Sequence, residues 1–243
     1  MKHLKNNNRF VALLLLVTLI SCTFYSNGQT YRIYKGDTIN RTDENNLKQG
    51  VWRRYYENDQ LFSETYFKND KPESDTKTYY KSGELQAALK YNNKENTAKI
   101  RSFWPDGSLK AYGGYYDKKK DGTWTYFHEN DSISAVENYI KGKEDGEWKV
   151  YYPTGILSEK FYYKNGLMEG LYTSYFSNSA KKMEVNFKNG TYDGTCVQFY
   201  MSGKPRIRGD YDSGLRDGKW LYLRESGVPD SSQVFIKGAL ETQ

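Results

Sequence analysis

The sequence predicts an all-β protein built from stacked β-hairpins, on the basis of its composition and of an internal repeat. The 243 residues include 24 Tyr, 11 Phe, 5 Trp and 21 Gly. Aromatic residues favour strands, and Gly together with Asn, Asp and Ser favours tight turns. The chain is too aromatic to be disordered and too poor in aliphatic side chains for a conventional α/β core. We therefore expect a core made of aromatic rings.

Residues 1–22 have the pattern of an export signal. A basic segment precedes an apolar run at positions 10–20, which is too short to span a membrane on its own. The sequence LISC that ends at Cys22 resembles the bacterial lipobox, and this resemblance implies that Cys22 is lipidated. The alternative is ordinary signal-peptidase cleavage a few residues later, for example after Gly28. Either route takes the chain out of the cytoplasm.

The predicted location follows from this segment. With a lipidated Cys22 we expect an outer-membrane or periplasm-facing lipoprotein of a Gram-negative-type bacterium, anchored by two or three acyl chains. After simple cleavage the protein would be secreted or periplasmic. No later apolar run approaches the ~20 residues of a membrane span, which excludes a polytopic membrane protein. Removal of residues 1–22 lowers the formal net charge from +6 to +3, and an exported protein of that charge is not expected to bind nucleic acid.

A 24-residue period organises residues 50–243, after a linker and capping strand at 23–49. Eight units follow without an insertion and begin at positions 50, 74, 98, 122, 146, 170, 194 and 218. Two columns supply the repeat-core aromatics: Trp52, Trp124, Trp148, Tyr172 and Trp220 at the third position, and Phe67, Tyr91, Tyr115, Tyr139, Tyr163, Phe187, Tyr211 and Phe235 at the eighteenth. A further column at the seventh position shares a strand face with the Trp and is the candidate binding surface: Tyr56, Tyr80, Trp104, Tyr152, Phe176 and Tyr200.

Two turn signals divide each unit. The first is of the type Ser82-Gly83 and the second of the type Asn165-Gly166, and such pairs supply the positive φ angles that tight hairpin turns require. Each unit is therefore predicted to contain a strand of about seven residues, a tight turn, a strand of about eight residues and a short loop.

The motif G-x-W-x-x-Y-Y-x-x-G-x-L, followed by an aromatic residue and N-G-x-x-x-G, resembles the bacterial variant of the MORN repeat. In particular it is similar to the secreted or lipoprotein members grouped with the YwqK-type antitoxin family. The resemblance implies an elongated, twisted, antiparallel single-sheet solenoid of about eight repeats, with no enzymatic activity and no cofactor. The units that begin at 74 and 98 depart most, because they lack the leading Gly and the Trp.

The residues that could carry chemistry have structural interpretations. His128 occupies the ring column of the candidate surface, and Cys196 replaces the Trp of its unit as a buried thiol. The run Lys118–Lys120 is expected to be a solvated loop. An acidic column precedes the leading Gly of most units: Glu73, Asp121, Asp145, Glu169, Asp193 and Asp217. Its members should lie ~10 Å apart, too far to share a Ca²⁺ ion, so we expect them to cap turns. No catalytic, metal-binding or cofactor-binding residue is predicted.

The functional hypothesis therefore rests on the aromatic columns. Rings that no neighbouring layer covers mark a binding surface, although one face could serve as core alone. We expect a non-catalytic binding or scaffold module at the bacterial envelope, a monomer that contacts a protein partner, an envelope glycan or the membrane surface. The alternative is an antitoxin or immunity protein that neutralises a toxin by direct binding. In either case no enzyme is expected.

Overall fold

The computed structural model describes residues 29–241, and this part of the chain contains strands and turns but no α-helix. None of its elements is a helix that could cross a membrane. The export signal and Cys22 lie outside the described residues, so lipidation and cleavage remain predictions. The all-β fold that the sequence predicts is confirmed.

Two short strands, β1 (Arg32–Tyr34) and β2 (Asp37–Ile39), form a separate hairpin at the N-terminal end. The main sheet consists of β3 (Arg41–Thr42), β4 (Lys48–Tyr55), β5 (Leu61–Lys68), β6 (Lys71–Pro72), β7 (Thr76–Tyr79), β8 (Leu85–Asn92), β9 (Thr97–Phe103), β10 (Leu109–Tyr116), β11 (Lys119–Phe127), β12 (Ile133–Ile140), β13 (Lys143–Glu144), β14 (Gly146–Tyr151), β15 (Leu157–Lys164), β16 (Leu167–Met168), β17 (Gly170–Tyr175), β18 (Lys181–Lys188), β19 (Thr191–Phe199), β20 (Pro205–Asp212), β21 (Leu215–Leu223), β22 (Pro229–Ile236) and β23 (Ala239–Leu240).

The main sheet is one long antiparallel ladder in which strands pair in sequence order. Its pairings run from β3 to β23, and the two end strands pair on one side, β3 with β4 and β23 with β22. Where a strand is interrupted, both of its parts pair with the same neighbour: β12, for example, pairs with both β13 and β14. The stacked-hairpin single sheet predicted from the sequence is therefore confirmed.

The two turns of each unit have different backbone conformations. At the first turn only one residue has a positive φ, as at Gly83 (φ +109°) and Asp131 (φ +61°). At the second turn two successive residues do in every unit except the one that begins at 74, as at Asn165 (φ +51°) and Gly166 (φ +87°), which is the requirement of a type I′ hairpin. The turn signals thus sit where the sequence predicts them.

In the unit that begins at 122, the predicted short loop before the leading Gly is instead a bulged part of the sheet. Tyr112 pairs with Thr125 and Gly114 pairs with Asp121, so β11 contains two residues more than its partner over this stretch. Gly122, inside the bulge, has φ +72°, a conformation that L side chains rarely adopt. The bulge therefore explains the leading Gly of the repeat, and it keeps adjacent units hydrogen-bonded.

The tryptophans pack on one face of the sheet, and two of them need a glycine beneath the ring. The exposed fraction is 4% for Trp124 and 0% for Trp220. Gly113 and Gly209 lie against these rings, where a Cβ would come within 2.2 and 2.3 Å of ring carbons. The ring nitrogen of Trp124 donates a hydrogen bond to the carbonyl of Gly114 (2.9 Å). Ring and strand are thereby fixed together.

The N-terminal hairpin lies within residues 23–49, where the sequence predicts a linker and a capping strand. Its strand β1 pairs with β2 and lies outside the main sheet. The chain reverses at Asn40 (φ +54°), whose side chain donates to the carbonyl of Arg53 (3.0 Å) and accepts from its backbone N–H (2.7 Å). Tyr34 then packs on Tyr55 with ring centroids 4.2 Å apart. The hairpin thus covers the face opposite the tryptophans.

Candidate functional site

The seventh-position column, proposed from the sequence as a binding surface, is tied to the backbone of the sheet. Its hydroxyls donate to the carbonyl of the residue 23 positions later: Tyr56 to Tyr79 (2.8 Å), Tyr80 to Phe103 (2.8 Å), Tyr152 to Tyr175 (2.8 Å) and Tyr200 to Leu223 (2.7 Å). All these rings are half-buried. The column therefore links each unit to the next one and fixes the rings rigidly.

Three ring-bearing members of this column depart from the tyrosine pattern, in addition to Arg224 of the last unit. His128 takes the tyrosine's place, with Nε2 3.1 Å from the carbonyl oxygen of Tyr151, as expected for a ring substitute. Trp104 has a buried ring nitrogen without a hydrogen-bond partner. Phe176 has no donor group to offer.

We predict that Phe176→Tyr stabilises the protein by about 0.5–1.5 kcal/mol, because a hydroxyl there can donate to the carbonyl of Phe199. The matched reverse change, Tyr80→Phe, should lower the free energy of unfolding by a similar amount. Urea denaturation followed by tyrosine and tryptophan fluorescence measures both. Equal stability of both variants and the wild type would show that these hydrogen bonds do not connect the units.

A groove of about 500 Å³ opens on the tryptophan face, along the units that begin at 146, 170 and 194. We call it the aromatic groove. Its lining includes Tyr152, Tyr172, Phe176, Lys182, Tyr200 and Arg206. Three of the six predicted surface residues are thus brought together: Tyr152, Phe176 and Tyr200. The other three, Tyr56, Tyr80 and Trp104, lie in earlier units and do not line it.

The groove lies where one repeat position is smaller than in the two flanking units. Two residues after the Trp column, Tyr126 and Tyr222 fill this part of the face in flanking units. Ser174 and Gln198 occupy the same position between them and line the groove. The shorter side chains leave the space that the larger rings fill elsewhere.

Charged groups of both signs lie in the groove. Burial raises the pKa of Glu159, while Tyr172 and Lys182 act in the opposite direction. Arg206 is exposed and donates to the side-chain oxygen of Gln198 (3.0 Å). The groove therefore offers flat rings, one carboxyl group and two cations to a ligand, which is a set suited to non-covalent binding.

Cations four residues before the Trp column are a feature that sequence analysis missed. They stack on the ring in three units, at 4.8 Å from the ring centroid for Lys48 over Trp52, 4.7 Å for Lys120 over Trp124 and 4.3 Å for Arg216 over Trp220. The signal was available as a basic residue at one fixed register position. Such contacts contribute about 0.5–2 kcal/mol each, depending on burial.

Lys120 corrects the prediction that residues 118–120 form a solvated loop. Lys118 lies in a turn, but Lys120 belongs to β11, and its ammonium group lies 3.3 Å from the carboxylate of Glu137. It also donates to the hydroxyl of Tyr139 (3.2 Å), which in turn donates to Glu137 (2.7 Å). Burial, then Glu137, raises the pKa of Tyr139. The Tyr139 hydroxyl therefore stays protonated and can donate to Glu137.

The acidic column caps turns, as predicted, but in the neighbouring hairpin. Four of the six carboxylates accept a hydrogen bond from the backbone N–H of the residue 20 positions later: Asp121 from Lys141 (2.8 Å), Asp145 from Asn165 (3.0 Å), Glu169 from Asn189 (3.0 Å) and Asp217 from Lys237 (3.2 Å). Among residues 29–241 no group of three or more His, Cys, Asp or Glu is arranged to hold a metal ion.

Cys196 is buried between Val185 and Trp220, with an exposed fraction of 2%. Burial raises the pKa of its thiol to about 11. We predict that a Cys22→Ala variant is not alkylated by iodoacetamide at pH 8 in the native state and is alkylated completely in concentrated guanidinium, because the thiolate is the nucleophile. Mass spectrometry measures the adduct, and rapid labelling of the native protein would contradict the packing described.

The opposite face carries an ion-pair cluster around Glu147. Lys149, Lys160 and Tyr162 all bond to this carboxylate, Lys160 and Tyr162 at 2.7 Å. Hydrogen bonds from Lys149, Lys160 and Tyr162 lower its pKa from 4.5 to about 2.

A pH dependence follows from this depressed pKa. The stabilisation is present well above pH 4.5 and is lost as the pH falls through 2, below which Glu147 is protonated in both the folded and the unfolded state. Glu147→Gln should therefore lower Tm at pH 7 and lose its effect near pH 2. Thermal denaturation of both proteins from pH 2 to 7 measures this, and a constant difference in Tm would contradict it.

Three segments of the chain match the family model of the MORN repeat variant. They are residues 48–69, 120–141 and 144–165. Each segment contains a leading Gly, the Trp two residues later and the whole second strand of the same unit. The chain is therefore a repeat protein in which three segments match the MORN repeat variant, in agreement with the stacked-hairpin sheet. No curated protein matches the chain.

Solved structures with matching segments are far larger than this chain. The crystal structure of TcdB2-TccC3-TEV matches at 10% identity and a TM-score of 0.23, over 84% of this chain and 13% of that one. The crystal structure of TcdB2-TccC3-Cdc42 matches at 9% identity and a TM-score of 0.21, over 82% of this chain and 14% of that one. The MORN-type chain thus spans about one seventh of their length, and similarity at this level supports no conclusion about fold or function.

Proposed function

We propose that this MORN-type chain is a non-catalytic binding module of the bacterial envelope and that the aromatic groove is its contact surface. The observation that carries the proposal is the convergence of Tyr152, Phe176 and Tyr200 on one groove of about 500 Å³. Rings held by hydrogen bonds to the sheet lose little conformational entropy when a ligand docks on them. The export signal in residues 1–22 supports the envelope location.

The chemistry of the groove fits a protein or glycan partner better than a reaction. Its carboxyl group, Glu159, has two titratable neighbours in the groove that affect its pKa, Tyr172 and Lys182, and both lower it. The single histidine of the described chain, His128, lies in an earlier unit and bonds to a backbone carbonyl. Rings, cations and a carboxyl group bind sugars and extended peptides without any covalent step.

The test compares alanine variants of the same column inside and outside the groove. We expect Tyr152→Ala/Tyr200→Ala to lose binding to purified peptidoglycan or to envelope protein extract, whichever the wild type binds. Tyr56→Ala/Tyr80→Ala is the matched control, because it removes two equivalent hydroxyls that do not line the groove. Circular dichroism shows that both variants fold. Equal binding by both double variants would remove the groove as the contact surface.

A further inference from the structure

One unit has an acidic residue at the position where the other tryptophan units have a basic residue that stacks on the ring. Lys48, Lys120 and Arg216 stack on Trp rings four residues later. At the same register position before Trp148 the chain has Glu144. Trp148 therefore has a carboxylate at the position from which a Lys or Arg side chain contacts the other three tryptophans of this column.

The surroundings of Trp148 are rich in rings. Its centroid lies 5.4 Å from that of Tyr139, 5.0 Å from Tyr163 and 6.0 Å from Phe161. Trp148 itself is half-buried, in contrast to the nearly inaccessible Trp124. Part of this indole is thus available to a ligand.

Glu144 lies beside these rings, because it pairs directly with Tyr139 across β12 and β13. Burial first, then Glu144 and a second carboxylate, raise the pKa of Tyr163. Within residues 29–241 the Glu144 carboxylate has no ion pair or hydrogen bond, and no Lys or Arg stacks on Trp148. The preceding unit shows what fits there: the Lys120 ammonium lies 4.6 Å from the centroid of Tyr139 and beside a carboxylate.

We propose that Trp148 and Glu144 form a binding site for an organic ammonium group from outside the chain. Aromatic rings attract such cations through the negative charge of their faces, and a nearby carboxylate strengthens the attraction. The ligand replaces the ammonium group that Lys120 supplies internally in the preceding unit. The proposal does not depend on the aromatic groove, because none of Glu144, Trp148 and Tyr163 lines it.

The ammonium group can belong to a small quaternary amine or to a lysine side chain of a protein partner. Choline and Nα-acetyl-lysine methylamide represent these two sources, and 3,3-dimethylbutanol is the uncharged analogue of choline. We expect one of the two cations to bind saturably and the uncharged analogue not to bind. The NMR signal of the Trp148 indole N–H, which donates to the carbonyl of Asn138 (3.2 Å), should shift most among those of the five Trp.

The decisive variant is Glu144→Lys, which gives this unit the cation that the other tryptophan units possess. It should remain folded and bind the cation at least about tenfold more weakly, since the carboxylate is lost and the new ammonium group competes for the ring. Glu57→Lys, at an exposed turn, makes the same change in net charge and should leave the affinity unchanged. Absence of saturable binding by both cations, equal binding of the uncharged analogue, or unchanged binding by Glu144→Lys would each overturn the proposal.

Discussion

Gly113→Ala should lower the free energy of unfolding by about 1–3 kcal/mol, although alanine is the better residue in a strand. The ideal Cβ lies 2.2 Å from a ring carbon of Trp124, so either the indole or the strand must move. The indole is held by its hydrogen bond to Gly114 and by Lys120 on its face. Urea denaturation measures the loss.

The control for this clash removes the ring. In a Trp124→Ala background, Gly113→Ala should cost almost nothing, because the Cβ then enters empty space. A double-mutant cycle gives the coupling between the two positions. Similar costs of Gly113→Ala with and without the indole would show that the glycine is required for another reason.

Trp124→Ala should itself lower the free energy of unfolding by about 3–5 kcal/mol, the usual cost of removing a buried large ring from a core. The variant leaves a cavity beside Tyr115, whose ring lies 5.0 Å from that of Trp124. It also removes the donor that bonds to the carbonyl of Gly114. Denaturation monitored by circular dichroism measures the loss.

Trp52→Ala is the comparison for this variant. Trp52 occupies the same column but is half-buried near the N-terminal end of the sheet. Because each repeat contacts only its neighbours, its loss should perturb the first units and cost less. A larger effect of Trp52→Ala than of Trp124→Ala would contradict the view that the centre of the sheet holds the larger core.

The sequence predicted the parts of this fold that repeat. Trp124 and Tyr139 were assigned to the core because their columns recur every 24 residues, and both are buried. Gly113 escaped notice because a glycine in a strand usually indicates only a weak strand. Its spacing of eleven residues before a Trp, repeated at Gly209, was the available signal.

The groove was harder to predict because it arises where the repeat varies. The seventh-position column contains Tyr80 as well as Tyr152 and Tyr200, and nothing in that column separates them. Two residues after the Trp column, Ser174 and Gln198 are smaller than the tyrosines of the flanking units, but Thr78 in the unit of Tyr80 is small as well. Which rings border an open space therefore depends on contacts between units, which periodicity alone does not describe.

The central claim is that binding is confined to the units that begin at 146, 170 and 194. Hydrogen–deuterium exchange of the full chain, with and without the envelope fraction that it binds, tests this most directly. We predict that added protection falls on peptides that cover 152–206 and that peptides before 130 are unchanged. Protection spread evenly over all eight units, or confined to those before 130, would contradict the claim.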